Sequence, residues 1–257
     1  NRRVVFDFDD ALFVDPRTGG PVATDQLDKL AYIIAHSAAV VAGNPYLADF
    51  ARRYRAEVEV VPTPVDCERY LPAAATPAGR PVTIGWMGTA PNLGYLERLV
   101  PALRRVLGQT HARLVVVCDR PAPPSLLACD DRVAYQLWRE ETEVEQLQAF
   151  DIGIMPLDDD PFTRGKCGFK LLQYMAVGLP AVASPVGANA GIVLDGVTGF
   201  LAASHDVWVD RLVRLCRDAH LRQRMGAAGR DRAVREYSLR RTAPGWIRLL
   251  EGVARPC

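Results

Sequence analysis

The hydrophobic positions of the chain fall into short, unbroken runs that are separated by longer segments with helical periodicity. The runs are Val4–Phe8, Ala39–Ala42, Val58–Val61, Val82–Met87, Leu114–Cys118, Val133–Leu137, Ile152–Pro156 and Pro180–Ser184. They lack the alternation of polar and apolar residues that marks a half-exposed strand. Continuous apolar runs of this length are typical of strands buried on both faces of a parallel sheet.

Amphipathic helical segments lie between these runs. They are Asp25–Ser37, Pro45–Tyr54, Leu93–Leu107, Glu143–Phe150 and Phe169–Val177. Regular alternation of strand and helix predicts an α/β fold, in which helices cover both faces of a parallel sheet. After Phe200 the pattern is helical only, over His205–Asp218, Leu221–Tyr237 and Arg240–Gly252.

Proline and small residues interrupt the pattern twice, at Pro62–Pro64 and again at 71–77. Such stretches favour a linker because they cannot build a core. We therefore predict part of a first α/β domain at 1–62, a linker at 63–80, a second α/β domain at 81–236 and a closing helix at 237–257. The chain enters its first strand almost at once, and we interpret it as an N-terminally truncated piece of a longer protein.

The composition narrows the function classes. The formal net charge is +1 and 49% of residues are hydrophobic, which is typical of an ordinary globular protein and gives no charge-driven nucleic-acid surface. No apolar run approaches the ~20 residues that span a bilayer. The six cysteines show no metal-ligand spacing, and they favour free thiols in a reducing, cytoplasmic environment.

The densest chemistry lies in residues 158–170, between the strand ending at Pro156 and the helix beginning at Phe169. Ligands of open α/β sheets bind at the carboxyl ends of strands, where this segment is expected. Of the 31 basic residues only three are lysines, and two of them, Lys166 and Lys170, are found here with Arg164. Glycines such as Gly168 allow close backbone approach, and a helix N-terminus attracts phosphate.

This segment therefore predicts a cradle for a diphosphate, with a solvated basic loop as the alternative. Helical spacing places Lys170 and Gln173 on one side of the helix. Other candidate donor-binding residues follow neighbouring strands: Gly88, Thr89 and Asn92 in the turn after Val82–Met87, and Trp138 after Val133–Leu137. Trp138 is equally compatible with a base pocket and with core packing.

Two runs of sequence carry a resemblance to a known family. Residues 151–157 and 168–184 resemble the donor-site signature of family-four GT-B retaining glycosyltransferases, the glycosyl transferases group 1. Segments 41–47, 60–66 and 196–201 resemble other parts of that family, as does the helical tail with Arg230 and Trp246. The similarity extends over nearly the whole chain, and its motifs occur in the family's order.

The resemblance implies a GT-B enzyme with two Rossmann-like domains and an active site between them. The donor would be a nucleotide diphosphate sugar, transferred with retention, without a cofactor and without a metal held by an Asp-x-Asp motif. The acceptor would be a carbohydrate or a lipid-linked molecule, as in cell-envelope or polysaccharide biosynthesis. The closing helix would return to the N-terminal domain, and that domain would provide any peripheral contact with the inner face of a membrane.

The chain departs from the family at two places. Family members use two glutamates eight positions apart, which correspond here to Gly165 and Gln173. The usual Arg/Lys pair after the first strand of the donor domain is replaced by Thr89 and Ala90. We predict that Lys170 and Lys166 supply the catalytic positive charge. The full set of predicted donor-binding residues is Gly88, Thr89, Asn92, Trp138, Arg164, Gly168, Phe169, Leu171 and Gln173.

Two further hypotheses remain open from the sequence. Residues 6–12 resemble the start of haloacid-dehalogenase-type phosphatases, with Asp7 as the nucleophile and Asp9 as the acid/base on Mg²⁺. Against this, Ala11 stands where a hydroxyl residue is expected. The loss of the glutamate pair would also suit a non-catalytic nucleotide-sugar-binding module. In the preferred interpretation the chain alone binds nucleotide but transfers little or no sugar.

Overall fold

The computed structural model describes residues 3–73, 79–121 and 123–254, and within them it contains two parallel sheets. The first sheet has three strands in the order β1-β2-β3 and carries two helices. Its elements in chain order are β1 (Val5–Phe8), α1 (Thr24–His36), β2 (Ala39–Ala42), α2 (Pro45–Ala51) and β3 (Glu59–Val60). The predicted α/β class is confirmed, and the predicted strands agree with these bounds to within one or two residues.

The second sheet has six strands in the order β6-β5-β4-β7-β8-β9, all paired in parallel. Its strands are β4 (Thr83–Gly88), β5 (Arg113–Cys118), β6 (Val133–Leu137), β7 (Ile152–Met155), β8 (Ala181–Ala183) and β9 (Gly199–Leu201). The chain moves outward from β4 to β6 and then returns to pair β7 with β4. That reversal creates a crevice at the carboxyl ends of β4 and β7, where ligands of such sheets bind.

Helices cover both faces of the second sheet. The helices that follow β4 in the chain are α3 (Leu93–Gln109), α4 (Pro124–Leu127), α5 (Glu143–Gln148), α6 (Pro161–Arg164), α7 (Phe169–Ala176), α8 (Asn189–Ile192), α9 (His205–Arg217), α10 (Ala219–Arg232) and α11 (Leu239–Ala254). Successive residues of β5 pack alternately into two cores, since Val116 joins one and Val117 the other. Burial on both faces is why this strand is an unbroken apolar run.

Part of the predicted linker packs onto the second sheet. Val65 and Tyr70 are buried in the core around α7, and the Arg230 guanidinium donates to the carbonyl oxygens of Cys67 and Tyr70. Residues 74–78 of the linker lie outside the described residues, as do 1–2 and 255–257 of the outer segments. The boundaries at 62, 80 and 236 therefore stay a proposal.

Two observations concern the cellular environment that the sequence predicts: the state of the cysteines and the character of the helices. The cysteines at 67, 118, 129, 167 and 216 are all free thiols. Across residues 3–73, 79–121 and 123–254, none of the helices combines the length and the apolar character that crossing a bilayer requires.

Candidate active site

A cleft of about 490 Å³ opens where the two sheets face each other. The second sheet provides most of its walls through the loops that follow β4, β5, β6 and β7. The first sheet contributes Asp9 and Asp10, which come directly after β1.

Lys170 is the most unusual side chain in this cleft. It lies in the first turn of α7, and its Nζ atom is 4.2 Å from the centroid of the Trp86 ring. Burial lowers the pKa of Lys170 to about 7, and the neighbouring Lys166 contributes to this lowering. No carboxylate of the described residues forms an ion pair with Lys170. A largely buried cation that lines a cleft without an acidic partner is suited to an anionic ligand.

Lys166 lines the same cleft from the segment between α6 and α7. Its Nζ atom is 4.9 Å from the centroid of the Phe162 ring. Burial raises the pKa of Asp10, and the positive charge of Lys166 opposes that rise. Lys166 is therefore close enough to both Asp10 and Lys170 for its positive charge to lower the pKa of each of them.

The start of α7 offers backbone donors beside the lysines. Gly168 has a φ of 71°, a left-handed conformation, and a β-carbon there would lie 2.4 Å from Ile192 Cδ1. Only glycine fits this turn, which directs the helix N-terminus into the cleft. Within the described part of the chain, the N–H groups of Phe169 and Lys170 donate no hydrogen bond. They are therefore available to an anion, together with the positive end of the helix.

Two predicted donor-binding residues are placed elsewhere. Arg164 does not line the cleft, because its Nε donates to Asp159 Oδ1 at 2.7 Å and both side chains are exposed. Leu171 is fully buried in the core behind α7, and its N–H donates to the Gly168 carbonyl. Of the three cations that the sequence places in this segment, Lys166 and Lys170 line the cleft and Arg164 does not. The three aspartates at 158–160 have structural roles, since Asp160 caps α6, Asp158 pairs with Arg98 and Asp159 pairs with Arg164.

Gly88 at the end of β4 lines the cleft together with Thr89 and Asn92 in the turn that follows. The Asn92 amide donates to Thr89 Oγ1 at 2.9 Å, which leaves the threonine hydroxyl proton for a ligand. The N–H of Ala90 is not available, because it donates to Asp119 Oδ1 at 2.7 Å. This bond lowers the pKa of Asp119, a cleft residue after β5 that the sequence interpretation missed.

The far wall of the cleft contains Trp138, Glu143 and Gln173. Trp138 follows β6, lines the cleft and is partly packed against the core. Gln173 is buried, and its Nε2 donates to Glu143 Oε1 and to the Tyr70 hydroxyl. Glu143 was predicted only as the first residue of a helix. The one sequence signal for a larger role was its position at the start of the helix that follows a strand ending at the ligand-binding edge.

The phosphatase hypothesis finds no support at this site. Asp7 is exposed on β1 and does not line the cleft, unlike Asp9. Among the described residues there is also no group of three His, Cys, Asp or Glu side chains that could hold a metal ion.

Comparison with known proteins defines the class of protein. The sequence profile of the glycosyl transferases group 1 matches residues 81–218, which is more than half of the chain. The chain therefore belongs to this family of glycosyltransferases. The profile covers the second sheet with all the loops that build the cleft walls on that side.

Curated relatives agree with this assignment. The chain is 30% identical over 235 residues to a D-inositol 3-phosphate glycosyltransferase from Stackebrandtia nassauensis, covering 79% of this chain and 52% of the relative. It is 25% identical over 150 residues to an N-acetyl-alpha-D-glucosaminyl L-malate synthase from Bacillus anthracis, covering 55% and 38%. The chain thus spans about half or less of the length of these relatives.

Solved structures show the same architecture. Sucrose-phosphate synthase from Thermosynechococcus elongatus superposes with a TM-score of 0.78 at 19% identity, over 97% of this chain and 67% of that chain. The Anabaena protein HepE, solved with UDP and glucose, gives a TM-score of 0.77 at 15% identity, over 96% and 71%. These similarities confirm the predicted GT-B fold.

Proposed function

We propose that this chain forms the nucleotide-sugar-binding side of a glycosyltransferase active site. The enzyme moves a sugar, with retention of configuration, from a nucleotide diphosphate sugar to a carbohydrate or lipid-linked acceptor. The observation that carries the proposal is Lys170, a largely buried ammonium without an acidic partner at the N-terminus of α7. The structure of HepE in complex with UDP and glucose supports a donor of this kind.

The chemistry follows from the leaving group. When the bond between sugar and nucleotide breaks, negative charge develops on the β-phosphate. Preorganised donors aimed at that charge lower the barrier more than any other single contribution in many enzymes. In this cleft the Lys170 ammonium, with Lys166 beside it, supplies the positive charge. The N–H groups of Phe169 and Lys170 supply neutral donors.

The side of the cleft that the first sheet provides suits the acceptor. Asp9 and Asp10 line the cleft after β1, next to the segment of Lys166, because Cys167 Sγ donates to the Asp9 carbonyl oxygen at 3.1 Å. Both residues are exposed to solvent, so their carboxylates can be reached by an acceptor. Carboxylates accept hydrogen bonds from sugar hydroxyls. A cytoplasmic location, and a peripheral membrane contact through further N-terminal sequence, stay predictions.

Nucleotide binding tests the proposal directly. Titration of this chain with UDP, GDP and ADP in a calorimeter is expected to show saturable one-to-one binding of at least one of them. Sugar transfer by the same chain is expected to be weak or absent, because the chain covers only part of its relatives. If none of the three nucleotides binds, the proposal is wrong. If the complete protein binds nucleotide tightly but transfers no sugar, a non-catalytic binding module is the better description.

The pH dependence of binding provides a second prediction. Because the pKa of Lys170 is lowered to about 7, the free protein loses this positive charge as the pH rises through about 7. The terminal phosphate of a nucleoside diphosphate, with a pKa of about 6, is already almost fully charged there. Affinity should therefore fall between pH 7 and pH 9, by up to about tenfold per pH unit.

A matched variant isolates the cause of that pH effect. Lys170→Arg keeps its charge throughout this range, so its affinity should be nearly independent of pH. Calorimetry at pH 6.5, 7.5, 8.5 and 9 compares the two proteins. Equal pH slopes for the wild type and the arginine variant would show that another group titrates.

A further inference from the structure

We infer that Glu143 binds the ribose of the nucleotide through a hydrogen-bonded pair with Gln173. This pair is a carboxylate–amide couple on the cleft wall that joins α5 to α7. The inference rests on the proposed function, since it assigns a part of the same donor. It gives Glu143 a role that the sequence does not suggest.

The burial and hydrogen bonds of the pair are those of a preorganised binding site. The Glu143 side chain is about 10% exposed and lines the cleft, although a carboxylate is seldom buried without a reason. Its Oε1 accepts a hydrogen bond from Gln173 Nε2. Its Oε2 is 3.6 Å from Arg69 Nη2, which is an ion-pair distance but too long for a hydrogen bond. One oxygen is thus held in place, and the other retains capacity for a donor.

Tyr70 fixes the orientation of the amide. Gln173 Nε2 donates to the Tyr70 hydroxyl at 3.1 Å as well as to Glu143, so both amide protons are used within the protein. The amide therefore positions the carboxylate and does not compete for it. The four side chains of this group come from residues 69–70, α5 and α7, and they meet only in the folded chain.

The pair also explains why residue 173 is a glutamine and not a glutamate. A glutamate at 173 would place a second carboxylate against Glu143 in a buried position, where two like charges cannot both stay ionised at low cost. An amide removes that repulsion and donates a hydrogen bond instead. The negative charge that family members carry on this helix is therefore supplied here from the start of α5.

The position of the pair indicates which part of the nucleotide it binds. Gln173 lies one helical turn beyond Lys170, where the diphosphate is proposed to bind. Glu143 and Trp138 lie on the same connection after β6, and Trp138 offers a flat surface for a base. The ribose of a nucleotide lies between its base and its phosphates. Its vicinal hydroxyls are donors that a buried carboxylate binds well, as in dinucleotide-binding folds.

The test compares ribose with deoxyribose. The tightest binder among UDP, GDP and ADP is titrated beside its 2′-deoxy form. Wild-type protein is expected to prefer the ribose form by about tenfold to a hundredfold, the range for one hydrogen bond to a charged group. Glu143→Gln should reduce this preference to less than about threefold. Glu145→Gln, an exposed position on the same helix that does not line the cleft, should leave the preference unchanged.

A swapped variant guards against a folding artefact. Glu143→Gln combined with Gln173→Glu keeps one carboxylate and one amide in the pair, and it is expected to regain most of the ribose preference. If Glu143→Gln binds nucleotide with the wild-type preference, or if the swap folds but shows no preference, the inference is overturned while the proposed function stands. If the wild type binds no nucleoside diphosphate, both are overturned.

Discussion

Replacing Lys170 with methionine should lower the rate of sugar transfer by about 10²–10³-fold, the cost of losing one preorganised donor to developing charge. The same change should weaken nucleoside diphosphate binding by at least about tenfold. Methionine is unbranched and only one atom shorter than lysine, and its thioether packs well against an aromatic ring such as Trp86, so the cleft nearly keeps its shape while it loses the ammonium. Removing a buried charge also removes a desolvation cost, and the variant should be at least as stable as the wild type.

Lys29 is the matched control for this experiment. It is exposed on α1, 3.4 Å from Asp25, and it is the only lysine of the chain outside the cleft. Lys29→Met should leave binding and transfer unchanged. Initial rates of sugar transfer and calorimetric titration with nucleoside diphosphate provide the two measurements. A Lys170→Met variant that folds, binds nucleotide and transfers sugar at wild-type rates would remove the basis of the proposed site.

Much of the fold could be predicted because burial on both faces leaves a strong pattern in sequence. Strand β5 is an unbroken apolar run for that reason, and its bounds were nearly correct. The short helix α6 was less apparent, although Asp160 and Pro161 form an ordinary helix start. In the sequence this segment was part of a predicted loop, and a single helical turn has no periodicity by which to recognise it.

The cleft was only partly predictable, for a different reason. Lys166 and Lys170 could be identified because they follow a strand end and lie at the start of the next helix. Arg164 shares that segment, but its direction depends on α6, which turns it outward to Asp159. Glu143 is separated from Gln173 by 30 residues, and their contact depends on the order of strands in the sheet. Local sequence patterns predict where an element begins and ends, whereas contacts between distant residues depend on the order of the strands in the sheet.

The absent first glutamate of the family has a steric explanation. Gly165 is buried against the first sheet, and a β-carbon there would lie 2.6 Å from Ala11 Cβ and 2.8 Å from Ala11 N. Its carbonyl accepts a hydrogen bond from Asn44 Nδ2 at 2.9 Å, which links it to the cap of α2. The backbone conformation, with φ of −76°, would allow any residue. Contact between the two sheet units, rather than backbone strain, therefore excludes a side chain.

Restoring that glutamate should therefore damage the protein. Gly165→Glu is expected to lower the free energy of unfolding by at least about 3 kcal/mol, because overpacking is combined with an ionised group forced beside Asp10. Denaturant unfolding measures the loss, and small-angle scattering should show a larger radius of gyration as the sheet units separate. Gly108→Glu is the control, since this exposed glycine of α3 has no atom within 4 Å of an added β-carbon and should tolerate the change. A Gly165→Glu protein that is as stable as the wild type and transfers sugar faster would show instead that the cleft accommodates the carboxylate.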